Sequence, residues 1–324
     1  MRQDFDAYVT AALFGADGAA AFALGDGTVR FENGVSVPAH EGAILCATAH
    51  PSGDGVVSGG DDGRLVWSRP DGATELAQVN GRWIESVAAS AASGLVAFAA
   101  GRELHVRDLA DPAFARTFVH DKSVADIAFD PKGRRIAAAT YNGAALWYAR
   151  IAEQKPQVLK WAGSHVGVAW SPDGKFLITA MQENQLHGWR LADSKDLRMG
   201  GYPAKVKSLA FLDKGLMLVT SGANGAVVWP FVGANGPMGK EAAEIGFDEH
   251  ALVARVAATP GRDVVCAGLD DGRVWAAELR SGRMEKLRAD KGPPITALAV
   301  SADGSRVAWG DEEGGAGVME IPSP

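Results

Sequence analysis

The sequence predicts an all-β ring, a β-propeller of four-stranded antiparallel blades, and three observations predict it. A turn-then-aromatic unit recurs as Asp26-Gly27-Thr28-Val29-Arg30-Phe31, Asp61-Asp62-Gly63-Arg64-Leu65-Val66-Trp67, Asn142-Gly143-Ala144-Ala145-Leu146-Trp147 and Asn224-Gly225-Ala226-Val227-Val228-Trp229. Asp-Gly or Asn-Gly ahead of alternating side chains is a hairpin joint leading into a strand. The residues that close the motif are Phe31, Trp67, Arg107, Trp147, Trp189, Trp229, Ala276 and Met319, spaced 36 to 47 residues apart. Each interval holds four strand-length runs, which is what a propeller blade requires. The composition agrees: 40 Gly, 47% hydrophobic and only 22% charged residues indicate many tight turns between well-buried strands.

Taken in order, the first unit runs Val9–Phe14, Ala20–Leu24, Thr28–Phe31 and Val35–Pro38, and the second Ile44–Ala49, Val56–Gly59, Arg64–Ser68 and Thr74–Val79. The third has Ile84–Ala89, Leu95–Ala99, Glu103–Asp108 and Ala113–Val119, its turn reduced to Gly101-Arg102. Units four and five open on Val124–Phe129 and Val166–Trp170 and pass through Asp130-Pro131-Lys132-Gly133 and Ser171-Pro172-Asp173-Gly174. Pro pre-sets φ at the second turn position and Gly suits the fourth. Unit six supplies Val206–Phe211, Leu216–Thr220 and Ala226–Phe231, then a polar Gly-rich loop over 233–237 that is expected to protrude from an edge. Unit seven supplies Leu252–Ala257, Asp263–Ala267, Arg273–Glu278 and Met284–Leu287, and unit eight Ile295–Val300, Ser305–Gly310 and Gly317–Ile321.

The last unit lacks a fourth strand, and an unpaired sheet edge is an aggregation hazard. Residues 1–7 are therefore expected to supply the ring-closing outer strand of the last blade, within one domain spanning 1–324. Eight blades fit the count; seven, with a displaced first unit, is the alternative. Trp67, Trp147, Trp189 and Trp229 are expected to fill the gaps between blades, and Asp26, Asp62, Asn142, Asn184, Asn224 and Asp271 to cap their own turns.

The pattern resembles the WD40-repeat propeller family. The best matches are His165, Val166, Val168, Ala169, Trp170, Ser171-Pro172-Asp173-Gly174, Leu177, Thr179 and Trp189, and the likeness covers about residues 8–321. The family's closing Trp-Asp pair is replaced by Trp67-Ser68, Arg107-Asp108, Trp147-Tyr148, Trp189-Arg190 and Trp229-Pro230, and its Gly-His element is reduced to His40, His120, His165 and His250. The resemblance implies that such a His bonds the joint residue and a strand hydroxyl, pairing His165 or His120 with Asn142, Asn184 and Thr140 or Thr179. The Ala-rich composition looks like that of divergent bacterial members of the family.

Several function classes receive no signal. A formal charge of -7 argues against non-specific nucleic-acid binding, which needs a basic field. The run Met1-Arg2-Gln3-Asp4-Phe5-Asp6 is no signal segment, and no run of roughly 18 apolar residues occurs, so a cytoplasmic protein without membrane insertion is expected. Cys46 and Cys266 sit in alternating apolar runs and read as buried thiols. The seven His residues show no metal-ligand spacing, and no phosphate loop, nucleophile elbow or Cys-His pairing is visible, so no metal, cofactor or catalytic set is expected.

Binding is the better prospect, because the loop face of a propeller is broad and need not carry the fold. On that face the expected partner-binding residues are Tyr8, Arg82, Trp83, Lys122, Tyr141, Gln182, Lys205, Glu249 and Asp270, with Trp161 and Tyr202 as weaker candidates. Aromatic and Arg residues are the usual anchors of protein interfaces, and Trp83 has no equivalent in the other units. The expected function is a non-catalytic protein-interaction scaffold for a peptide segment or partner subunit, with a place in a larger complex. The alternative is a hydrolase or a small-molecule or metal-binding protein using the central channel. Asp311-Glu312-Glu313 reads as a solvated turn.

Overall fold

Turn chemistry sets the hairpins. Gly27 and Gly63 hold φ of 84° and 76°, and a Cβ at either would collide with backbone carbonyls of the adjoining loop, at His40 and Gly42 or at Val79 and Arg82. The preceding acids cap the same turns: Asp26 Oδ1 accepts from Thr28 N at 2.9 Å and Asp62 Oδ1 from Arg64 N at 3.0 Å. Asn142 and Asn184 instead take the left-handed conformation themselves, at φ of 69° and 52°.

The computed structural model describes residues 2–212, 216–259 and 262–322. Strand β1 (Arg2–Asp4) precedes the first sheet, β2 (Val9–Phe14), β3 (Ala20–Leu24), β4 (Thr28–Phe31) and β5 (Ser36–Pro38). The second comprises β6 (Ile44–Ala49), β7 (Val56–Gly60), β8 (Arg64–Arg69) and β9 (Gly72–Gln78). The third comprises β10 (Ser86–Ser90), β11 (Leu95–Ala100), β12 (Glu103–Asp108) and β13 (Asp111–Val119). A six-stranded sheet follows: β14 (Val124–Phe129), β15 (Arg135–Tyr148), β16 (Gln157–Trp170), β17 (Phe176–Met181), β18 (Leu186–Arg190) and β19 (Lys195–Met199). Next come β20 (Leu209–Leu212), β21 (Met217–Thr220), β22 (Ala226–Pro230) and β23 (Ala243–Ile245), then β24 (Val253–Ala258), β25 (Val264–Leu269), β26 (Val274–Glu278) and β27 (Met284–Arg288). The last sheet joins β28 (Ile295–Val300), β29 (Arg306–Asp311) and β30 (Gly315–Glu320) to β1, which pairs antiparallel with β30 from Arg2 opposite Gly317 to Asp4 opposite Gly315.

The antiparallel propeller is thus present, but the expectation of eight separate blades is corrected: among the described residues the ring contains seven sheets. The first unit is not displaced; the difference arises at units four and five. The outer strand of unit four and the inner strand of unit five both fall within β16, joined through Ala162 and Gly163, where Gly163 holds φ of 117°. One half of β16 pairs with β15, as in Lys160 opposite Gly143, and the other with β17, as in Trp170 opposite Leu177. The loop over 233–237 also departs from expectation. It folds back rather than protruding, since Arg190 Nη1 bonds Ala234 O at 3.0 Å and Asn235 Oδ1 at 2.7 Å.

Among the described strands β2, β6, β14, β24 and β28 carry a register shift near their start, at Val9/Ala11, Ile44/Cys46, Val124/Asp126, Val253/Arg255 and Ile295/Ala297, and β16 carries one where its inner half begins, at His165/Gly167. One extra residue there bends the strand and raises its twist. The displaced polar side chains tie successive inner strands together. Thr10 Oγ1 donates to Ile44 O at 3.0 Å, Ser86 Oγ to Asp126 Oδ1 at 2.8 Å, Arg255 Nε to Thr296 O at 2.7 Å and Thr296 Oγ1 to Val9 O at 2.6 Å. Asp126 also accepts from Val168 N at 2.8 Å, and enclosure inside the ring pushes its carboxyl pKa up despite these donors.

Apolar layers fill the spaces between units. Trp147 packs with Leu95, Leu104 and Phe118 of the preceding unit, and Trp189 with Ala137, Leu146 and Leu159. Trp147 and Trp189 are buried as expected, whereas Trp67 and Trp229 are half-buried, Trp67 stacking its ring on His50 with centroids 4.2 Å apart. Cys46 and Cys266 are free thiols, both pushed up to about 12 by burial.

Candidate functional site

Turns between a unit's second and third strands are bonded to the loop that enters the same unit. Gly25 N reaches Tyr8 O at 2.8 Å, Asp61 N reaches Ala43 O at 3.1 Å, Gln182 N reaches Ser164 O at 2.9 Å, and Asp270 N reaches Leu252 O at 2.9 Å. Turns and entry loops therefore share one end of the ring, and all nine candidate residues lie there. Tyr8, Trp83 and Tyr141 are 45%, 59% and 56% exposed.

The nine do not form one cluster. Lys122 and Tyr141 line a common groove; Lys205 Nζ bonds Gln182 Oε1 at 2.6 Å; Arg82 pairs with Glu103 at 3.0 Å beside Trp83. Glu249 pairs with its neighbour His250 at 3.1 Å, and Asp270 Oδ1 accepts from Leu252 N at 2.9 Å, so Asp270 also holds its own loop.

The groove opens between the third and fourth units, with a volume of about 800 Å³. Residues 119–122, 140–145 and 160–162 line it, with Trp147, Pro156 and Val158. Its walls include the exposed apolar side chains of Val119, Tyr141 and Val158. A difference in turn chemistry explains the opening. In the second unit Asp62 reaches the entry-loop His40, with Oδ1 3.0 Å from Nδ1, while His40 Nε2 meets Ser58 Oγ at 2.8 Å. Burial alone would raise the Asp62 carboxyl pKa, but the N–H of Arg64 and the His40 ring hold it below the usual range. In the fourth unit Asn142 Oδ1 turns to Gly163 N at 3.2 Å, and His120 Nε2 accepts from Trp147 Nε1 at 3.0 Å instead.

The His pairings implied by resemblance therefore hold in part. His165 Nδ1 does meet Thr179 Oγ1 at 2.7 Å, but its other nitrogen goes to Trp161 O at 3.1 Å rather than to Asn184. Burial lowers the pKa of both His120 and His165. His250 is exposed and makes no such relay.

Tyr202 is an interior residue, not an interface anchor. Its hydroxyl accepts from Trp229 Nε1 at 2.6 Å and meets Thr220 Oγ1 at 2.7 Å, so a Tyr occupies the relay position that His40 fills in the second unit. Trp161 is held by stacking on His187, centroids 4.0 Å apart, and by Arg198 at 4.2 Å from its ring. Asp311 is buried, accepting from Gly315 N at 2.7 Å, and only Glu312 and Glu313 of that turn are exposed.

The family model for the WD domain, G-beta repeat, matches residues 33–67 and 156–190. WD repeat-containing protein 55 of Rattus norvegicus and of Homo sapiens are each 21% identical over 196 residues, covering 58% of this chain and 49% of theirs. The chain folds as a β-propeller and carries WD40-repeat matches in two of its units. It spans about half the length of the curated relatives it matches. The propeller also resembles the computationally designed protein Ika8, with a TM-score of 0.79, 18% identity and 98% of each chain covered. The Cps50 (Swd1) β-propeller domain of Myceliophteria thermophila gives a TM-score of 0.67 at 15% identity, covering 86% of this chain and 96% of that one. At such identities the likeness is one of fold. The relatives named are mammalian and lend nothing to the bacterial affinity that composition suggested.

WD40-repeat propellers are generally non-catalytic interaction scaffolds, and the likeness to them suggests that role here. Among the described residues no three His, Cys, Asp or Glu side chains converge as metal ligands, and no helix is long and apolar enough to cross a membrane.

Proposed function

We propose that this propeller is a non-catalytic scaffold that holds a peptide segment or partner subunit on its loop face, within a cytoplasmic complex. The observation that carries the proposal is the groove at the junction of the third and fourth units, where Lys122 and Tyr141 meet exposed Val119 and Val158. Exposed aromatic and apolar side chains beside a concave surface are what an interface uses to bury area, and a central aromatic usually carries much of the binding energy. Trp83, exposed on the neighbouring entry loop, extends the same surface. Neither Trp83 nor Tyr141 fills an interior gap, so both are free to serve a partner rather than the fold.

The test is affinity capture from native lysate with wild type, Trp83→Ala and Tyr141→Ala, each checked by thermal melting. The scaffold reading expects a protein lost from either variant at an unchanged melting temperature. Retention of every wild-type partner by both variants would overturn it.

A further inference from the structure

The groove on the loop face is locally cationic. Around the groove and Trp83 lie four exposed cations, Arg82, Arg102, Lys122 and Lys160. Arg102 sits beside the groove because its carbonyl accepts from His120 N at 2.9 Å, and Lys160 lies opposite Gly143 across the β15–β16 ladder. The acids nearby are Glu103, which pairs with Arg82 at 3.0 Å, Asp121 in the groove lining, Glu183, which accepts from Ser164 N at 3.1 Å, and exposed Glu41 and Glu85 on the entry loops around Trp83. The far side of the same end carries exposed Glu249, Asp270, Glu312, Glu313 and Asp6, against exposed Lys207 and Lys291. At the groove itself the cations Lys122, Lys160 and Arg102 outnumber the acids Asp121 and Glu183, beside exposed Val119, Tyr141 and Val158.

We infer that the groove takes an acidic segment carrying apolar or aromatic side chains. Its carboxylates would meet Lys122, Lys160 and Arg102, and its apolar groups would lie against Tyr141, Val119 and Val158. Complementary charge steers encounter and rejects basic competitors, while the apolar contact holds the complex once formed. The acidic far side repels a long polyanion that would have to cross the face, which disfavours a nucleic acid as the occupant. This inference rests on the scaffold reading and names the chemistry of its partner.

The test uses fluorescence anisotropy with the full chain and a labelled peptide of repeating Glu-Glu-Phe-Glu-Leu. Controls are the same peptide with Lys for Glu and a labelled single-stranded oligodeoxynucleotide. The acidic peptide should bind, and Lys122→Glu with Lys160→Glu should weaken it about tenfold or more at an unchanged melting temperature, because two attractions become repulsions. Raising salt from about 50 to about 300 mM should weaken it further. Equal binding of the Lys peptide, unchanged affinity of the double variant, tighter binding of the oligonucleotide, or no acidic-peptide binding would each overturn the inference. If partner capture remains sensitive to Trp83→Ala in those cases, the scaffold reading stands and only the acidic occupant fails.

Discussion

Replacing Tyr202 with Phe deletes one oxygen and leaves the ring that packs beside Val206 and Leu218. The lost hydroxyl serves two groups, Trp229 Nε1 at 2.6 Å and Thr220 Oγ1 at 2.7 Å. Thr220 is fully buried but keeps a longer contact to Val227 O at 3.5 Å, so the larger loss falls on the indole N–H. A buried donor left without its acceptor costs about 1–3 kcal/mol, which centres the expected destabilisation near 2 kcal/mol. Unfolding entropy of about 2.1 cal/mol/K per residue, taken over 324 residues, is about 0.7 kcal/mol/K, so the melting temperature should fall by about 3 °C. Melting followed by circular dichroism reads this directly, and a cycle with Thr220→Val isolates the pair: the double variant should lose less than the two singles together. A shift under about 0.5 °C, or strict additivity in the cycle, would refute the relay through Tyr202.

Two further outcomes follow from the packing and the turn network. Asp62 has a depressed folded pKa, so its contribution is present above the unfolded value near 3.8 and lost as pH falls through the folded one. Asp62→Asn should therefore lower the melting temperature at pH 6 and converge with wild type in strong acid; parallel pH profiles would contradict this. Trp189, 1% exposed between the fourth and fifth units, should cost about 3–5 kcal/mol when replaced by Ala, read as a lower denaturant midpoint, and a change under about 1 kcal/mol would show that the layer does not depend on it.

The repeat was legible because turn residues are local: Asp62-Gly63 or Asn224-Gly225 announces a hairpin whatever surrounds it. The sheet count was not, since units four and five join through the short connection Ala162-Gly163, with Gly163 at φ of 117°, where other units pass through longer loops. The inner-strand bulges left a trace that strict alternation overlooks. In Val124-Ala125-Asp126-Ile127 the buried positions are 124 and 127, three apart rather than two, and Val253 and Val256 repeat the spacing. Tyr202 was placed on the correct loop yet read as exposed, because sequence gives no sign that its hydroxyl turns inward to Thr220 and Trp229. The groove was foreshadowed only by Lys122 and Tyr141. Its depth comes from Asn142 facing Gly163 instead of His120, a choice that the same residue type at another turn does not make: Asn224 bonds Asp248 O and Ala251 O at 2.9 and 3.0 Å.

The most direct measurement of partner binding on the loop face is site-specific photo-crosslinking in native lysate from two tyrosine positions in one strand. Tyr141 borders the groove and Tyr148 ends the same β15 strand at the opposite end of the ring, and the two are 56% and 53% exposed. With p-benzoylphenylalanine at each position in turn, a protein adduct at 141 and none at 148 is the expected result. An adduct at 148 with none at 141 would contradict a loop-face scaffold.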